Sequence, residues 1–348
     1  MLLVIAACIP GVACSTWYFG IGVLINIVLA ASMAIALEAC ALKLRGKELR
    51  VHLADNSALV TAVLFAIALP PGSAWWLLAI GIFFAIVIVK HSFGGLGQNL
   101  FNPAMCGYLL LLLSFPLDMT YWHIPNGGVL GGDNFTVLSL AGFGQSITAS
   151  LPIFNHSQIP LQETIDGLTM ATPLIEFEMG ASSALLAARD AGVSLFSRSS
   201  ETAWELINIA YLIGGLFLLY KKIISWHIPV SIIATITVIS TLFYAPASFA
   251  IYGTPYLHLF GSATMIGAFF IATDPVSAAT TSRGKIFYGI IIGLVIYSIR
   301  VWGSYPDSIA IAVLFGNFCA PALDYFCRPR IYGHGSKPKH KVQSEPES

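Results

Sequence analysis

Ten apolar runs, near residues 1–16, 20–42, 57–69, 75–90, 100–115, 204–220, 226–245, 256–272, 286–301 and 308–325, decide what this chain can become. In water-soluble folds about a quarter of the residues are charged. Here 10% are charged and 57% hydrophobic, with a mean hydropathy of +0.80. Such runs are solvated by lipid, where a backbone must pair its own polar groups, and only helices or closed barrels do that. The expected fold is an all-α polytopic membrane protein of ten spans. A straight crossing of about 30 Å of hydrocarbon at 1.5 Å per residue takes about 20 residues. The third and fifth runs, 57–69 and 100–115, fall short of that and predict broken helices.

The formal net charge of zero excludes nothing by itself. The placement of the basic residues is informative, because short cytoplasmic loops collect Lys and Arg. With Met1 inside, the inner loops and tail hold Lys43, Arg45, Lys47, Arg50, Lys90, Lys221, Lys222, Arg283, Lys285, Arg328, Arg330, Lys337, Lys339 and Lys341. Only Arg189, Arg198 and Arg300 fall elsewhere. Both termini are therefore expected in the cytoplasm, and the long insert outside, which in a Gram-negative cell is the periplasm. Trp75, Trp76, Trp122, Trp204 and Trp302 fall near outer span ends, where interfacial aromatics belong. The division expected is 1–116 as a first membrane half, 117–203 as the insert, 204–327 as a second half and 328–348 as a basic tail.

Five spans per half require the second half to be inserted upside down relative to the first. Ala68, Pro71, Ser73 and Ala74 recur as Ala272, Pro275, Ser277 and Ala278. The expectation is an inverted five-plus-five repeat whose broken helices build polar sites near the midplane.

The insert is acidic: Asp118, Asp133, Glu163, Asp166, Glu176, Glu178, Asp190 and Glu201 face only Arg189 and Arg198, a charge of about −6. Within it lies Asp166-Gly-Leu-Thr-Met-Ala-Thr-Pro-Leu174. Its composition alone reads as an exposed turn or a helix start. Asp166, Thr169, Ala171 and Thr172 also match Asp-x-x-(Ser/Thr)-Gly-Ala-(Ser/Thr), with Met170 standing where the pattern has Gly. Flavin transferases recognise that pattern when they esterify a threonine with the phosphate of FMN. The chain resembles the D subunits of Rnf-type ion-translocating electron transport complexes and, more distantly, the B subunits of sodium-translocating NADH:quinone reductases.

A second distinctive stretch, Gly94-Gly-Leu-Gly-Gln-Asn99 followed by Asn102-Pro103-Ala104, also resembles those D subunits, as do the Thr273-Asp274-Pro275 context and the strings between Ser282 and Gly333. From the residues alone, Asn102 reads as a helix cap with Pro103 in the first turn, or as the end of a half-helix facing a flavin, quinone or cation. Ionisable groups within or beside spans are costly and are functional candidates by default. Asp274, Glu38, Asp55 and Asp324 are that set, and Asn99 joins Asn102 as a candidate for an ion or second-flavin site. The six cysteines have no C-x-x-C spacing and no histidine at metal-ligand spacing, so no metal is expected. The start resembles a lipoprotein signal too faintly to be one, and relatives usually have a short polar leader there.

The resemblance implies a membrane redox subunit of an Rnf complex in the bacterial inner membrane. Electrons exchanged between ferredoxin and NAD would be coupled to movement of sodium ions or protons. It implies covalent FMN on Thr172, riboflavin as a second flavin, iron–sulfur and flavin subunits as partners, and a flavin transferase for maturation. No nucleic acid is expected. The alternatives are a solute channel or secondary transporter of the same inverted-repeat fold without flavin, and an assembly scaffold.

Overall fold

A computed structural model describes residues 1–71, 73–95, 97–120, 122, 198–244, 254–303 and 308–328. The proposed flavin loop, with Asp166, Thr169, Ala171 and Thr172, lies outside the described residues, as does the basic tail beyond Arg328. Every regular element among the described residues is helical. The first half runs α1 (Leu2–Phe19), α2 (Gly22–Leu44), the short α3 (Leu49–Leu53), α4 (Ser57–Ala68), α5 (Trp75–Phe83), α6 (Pro103–Ser114) and the short α7 (Pro116–Thr120). The second runs α8 (Arg198–Tyr220), α9 (His227–Phe243), α10 (Pro255–Phe260), the single turn α11 (Thr264–Ile266), α12 (Ser282–Trp302) and α13 (Ile309–Phe326).

Five of these helices, α1, α2, α8, α12 and α13, are long and apolar enough to cross a membrane, so this is a multi-pass membrane protein. Helices α4 and α6 have only 12 residues each, as the short third and fifth runs require. Two features differ from the sequence expectation. The fourth run is not one uniform helix: α5 continues as a π-helical stretch, Phe84–His91. The eighth run is interrupted at Gly261–Ala263 and resumes as α11, which widens into a second π-helical stretch, Gly267–Ile271. Neither departure disturbs the apolar pattern, so hydropathy alone could not reveal them.

Lipid offers helices no hydrophobic reason to associate, and close packing of small residues takes that place. Helix α12 presents Gly289 and Gly293 to α9, one turn apart. A Cβ at Gly293 would lie 3.1 Å from the Ile232 carbonyl, and one at Gly289 would lie 2.9 Å from the Ile228 carbonyl. On the other side of the bundle Gly214 of α8 abuts the Ala7 carbonyl of α1, and Gly11 of α1 receives the Tyr211 ring. The halves meet where α1 packs on α8 and α6 on α13, the first spans together and the last spans together.

One end of the bundle gathers Arg45 after α2, Lys90 and His91 after α5, Lys221 after α8 and Arg283 at the start of α12. At the other end Phe19, Trp122 and Trp204 form an aromatic cluster with ring centroids 5.1 to 5.5 Å apart. They are called below the basic end and the aromatic end. Because the α9–α12 contact runs through backbone, Gly293→Leu should lower the thermal unfolding midpoint in detergent, overpacking of this kind costing about 1–3 kcal/mol. Leu294→Ala, at an exposed neighbour on the same helix, should leave it nearly unchanged.

Candidate functional site: a cavity at the broken helices

Each helix break releases backbone groups that lipid cannot satisfy, and the chain meets each with a buried polar side chain. After α4, the Pro70 carbonyl accepts from Asn26 Nδ2 at 3.0 Å and from Ser73 Oγ at 2.7 Å. Before α6, Asn102 Oδ1 caps the helix by accepting from Ala104 N at 3.0 Å and Met105 N at 3.3 Å, while its Nδ2 donates to the Ile271 carbonyl at 3.3 Å. That one amide ties the start of α6 to the end of the π-helical stretch in the other half. Asn317 on α13 supports it: with its amide turned to satisfy all neighbours, it accepts from Asn102 N at 3.0 Å and donates to the Ser277 carbonyl at 3.3 Å. The interruption between α10 and α11 is held by Asn208, which donates to the Phe260 carbonyl at 2.8 Å and accepts from Met265 N. Arg300 grips the same interruption through the His258 carbonyl at 2.6 Å and Thr264 Oγ1 at 3.0 Å.

At the basic end the start of α6 and the end of the second π-helical stretch leave a cavity of about 290 Å³. Its wall is formed by Asn99, Asn102, Pro103 and Ala104 at the start of α6, Ser57, Thr61 and Leu64 of α4, Phe269 and Phe270 of the π-helical stretch, and Thr273 to Val276. Lys90 also faces it. Three glycines make the approach to Asn99 possible: Gly94, Gly95 and Gly97 hold φ of 119°, 103° and 87°, which side-chain-bearing residues rarely adopt. A smaller space of about 80 Å³ lies toward the aromatic end, lined by Phe19, Trp122, Trp204, Asn208 and Tyr211. Adjacent residues divide the two, Ala104 facing the larger and Met105 the smaller, as do Phe270 and Ile271.

The charges beside the larger cavity form a connected set. Lys90 Nζ donates to Glu38 Oε1 at 2.8 Å and to Ser57 Oγ at 2.7 Å, with both charged side chains 3% exposed. His91 Nε2 stands 3.1 Å from Glu38 Oε2, within ion-pair distance but without the alignment of a hydrogen bond. Arg45 Nη1 lies 3.3 Å from His91 Nδ1 and 3.2 Å from the His91 carbonyl. A guanidinium only donates, so Nδ1 is the acceptor and the ring proton sits on Nε2, toward Glu38. Lys90 and His91, the last two residues of the π-helical stretch, approach the two oxygens of one carboxylate on α2.

Of the residues singled out in the sequence, Asn99, Asn102 and Asp274 share the cavity wall. Asp274 also closes its own turn, accepting from Ser277 Oγ at 2.7 Å. Glu38 stands behind Lys90, one step from the wall. Asp55 does not reach the cavity; it caps α4, accepting from Ser57 N at 2.7 Å and Ser57 Oγ at 2.6 Å. Asp324 lies apart, accepting from the backbone and hydroxyls of Thr280 and Thr281. Among the described residues no cluster of histidine, cysteine or carboxylate side chains suits a metal ion.

A family model described as the NQR2, RnfD, RnfE family matches residues 1–333. The chain belongs to that family. A relative from Aeromonas hydrophila, named as the D subunit of an ion-translocating oxidoreductase complex, is 46% identical over 336 residues, covering 96% of this chain and 93% of its own. Relatives of the same name from Aliivibrio salmonicida and Vibrio cholerae serotype O1 are 46% and 44% identical, each across 96% of this chain. In this member of the family, sequence reasoning used Lys90 only to orient the spans and passed over His91 and Ser57. The available signal was a Lys-His pair ending an apolar run just before the glycines; its partner Glu38 is 52 residues away and invisible to any local pattern. Removing one member of a buried pair typically costs about 3–5 kcal/mol, whereas removing both is often nearly neutral. Lys90→Met should therefore lower the unfolding midpoint in detergent, and Lys90→Met combined with Glu38→Gln should restore most of the loss.

Proposed function

We propose that this chain is the membrane redox subunit of an ion-translocating oxidoreductase complex, and that the cavity at the basic end holds a flavin ring. The carrying observation is the cavity itself: a partly open site in the wall of a lipid-embedded bundle, lined among others by two phenylalanines, two asparagines and one lysine. Its volume of about 290 Å³ sits at the lower edge of the roughly 300–1,000 Å³ usual for small-molecule sites. That suits a single ring system with a short tail and is tight for a dinucleotide.

Phe269 and Phe270 would pack against such a ring, while Asn99, Asn102 and Lys90 would meet its polar edge. The flavin supplies one- and two-electron chemistry when bound; the protein's part is to place it, shield it from water and set the charges around it. FMN esterified to Thr172 is the second group in this reading, supported by the Asp166, Thr169, Ala171 and Thr172 pattern. Thr172 would serve as an anchor, not as a nucleophile in turnover. The basic end faces the cytoplasm in this reading, on the strength of the lysines and arginines gathered there, and the insert faces the periplasm of an inner membrane.

The paired contacts of first with first and last with last spans support an inverted five-plus-five repeat. The thin partition at Ala104–Met105 and Phe270–Ile271 gives such a bundle a place to couple redox state to an ion. An electron arriving at one face of a packed two-state element changes the free energy of whatever lies on the other. The partners are then the remaining subunits of the complex, with iron–sulfur and flavin groups, and a flavin transferase in maturation.

The test is in-gel flavin fluorescence of the denatured chain, produced with an active flavin transferase. The wild-type band should fluoresce and the Thr172→Val band should be dark. A dark wild-type band, with the transferase active on a control substrate, would remove the covalent FMN and return the chain to the solute-carrier or scaffold readings.

A further inference from the structure

The ion pair at Lys90 has more connections than a structural pair needs. From Nζ one arm runs through Glu38 to His91 and then to Arg45, an exposed side chain at the basic end. A second runs through Ser57 Oγ to Asp55 Oδ1, which is partly exposed at the same end. Both arms start at an ammonium on the cavity wall and finish at the surface. The titratable or charged groups that face the set and its cavity are Glu38 from α2, Arg45 after it, Asp55 before α4, Asp274 across the cavity and the amine of Met1, which also lines it. Charges kept inside a membrane bundle are costly and point to function when they line a path.

We propose that Lys90 is the proton donor to the group bound in the cavity, and that Glu38 and His91 resupply it from the basic end. The proposal rests on the flavin reading of that cavity. For each electron that a redox partner of the complex delivers to the ring, one proton follows. The Nζ–H bond of Lys90 breaks, an N–H bond forms on the ring, and the ammonium becomes an amine. Resupply starts at His91: once the Arg45 guanidinium has moved aside, Nδ1 takes a proton from solvent at the basic end to give an imidazolium. Its Nε2 proton passes to Glu38 Oε2 as the two side chains come into line; the carboxyl then rotates to bring that proton to Nζ, restoring ammonium and carboxylate. A turn of the imidazole ring then brings its remaining N–H back toward Glu38 and its bare nitrogen to Arg45, which completes the cycle. The balance is one electron from the donor and one proton from water at the basic end. Arg45 acts as a latch, because while it occupies Nδ1 no proton can arrive there.

The experiment uses the whole complex in nanodiscs, with electrons injected by a laser flash from a photo-oxidisable donor. Flavin absorbance reports the electrons, a pH-indicator dye reports the protons, and acid extraction reports non-covalent flavin. Wild type should take up protons in step with reduction. Lys90→Arg keeps the charge and the pairing to Glu38 but holds its proton, since arginine does not deprotonate in proteins; a structural role would tolerate it. The proposal predicts that Lys90→Arg and Glu38→Gln slow proton uptake by about 100-fold or more, the usual lower range for loss of a positioned proton donor, with extractable flavin unchanged. The paired variant Lys90→Met with Glu38→Gln removes both charges and should be equally slow, and it decides the matter if a single variant fails to fold. Wild-type uptake rates in these variants, with flavin present, would overturn the proton path alone. Absence of acid-extractable flavin from the wild type would overturn the cavity reading and the path with it.

Discussion

A backbone carbonyl or amide set free inside a bilayer has no water to turn to, and this requirement organises the bundle. Interrupting α4, α6 and the α10–α11 segment exposes peptide groups at membrane depth, each costing several kcal/mol if left unpaired. Asn26, Asn102, Asn208 and Asn317, with Arg300, satisfy them. All five are buried. An asparagine suits the task because one amide both donates and accepts, so it can cap one helix and hold the end of another. Asn102 does both at once across the two halves. The interruptions are thereby fixed in place instead of being loose ends.

The cavity follows from the same breaks. Half-helices that stop inside a bundle leave space beyond their ends, and at the start of α6 the side chain that closes the stop, Asn102, is part of the lining. At the basic end the lining includes Lys90, from the π-helical stretch after α5. Its Glu38 partner balances that charge. A bound group that becomes more negative on reduction would compete with Glu38 for Lys90, which is the kind of coupling an ion-translocating oxidoreductase requires. Ala104 and Met105, neighbours on α6 that line the larger and the smaller space, connect that change to the other side of the bundle.

Much of this was legible in the sequence. The ten apolar runs anticipate the helices to within a few residues, because lipid solvation makes hydropathy a direct report of burial. Asn102 before Pro103 offered a capped helix start as one of two readings, and the cap is present; the positive φ of Gly94, Gly95 and Gly97 emerged only with the structure. The interruption at Gly261–Ala263 was not legible, since its stability depends on Asn208 and Arg300, which approach from other helices. Nor were the two π-helical stretches, which change helix pitch without changing composition. Asp55 stands outside the cavity wall, where it accepts from Ser57 N and Oγ, and a carboxylate just before an apolar run does not reveal such contacts in the sequence. Lys90 was hidden by its own usefulness as a topology marker.

The account stands or falls on what occupies the larger cavity. Photoaffinity labelling of the purified complex with an azido-riboflavin, followed by peptide mass spectrometry, reads that directly. The account predicts cross-links in the peptides that carry Asn99 to Ala104 and Phe269 to Val276, competed away by unlabelled riboflavin. Cross-links confined to other regions of the chain, or labelling that excess riboflavin does not reduce, would contradict it.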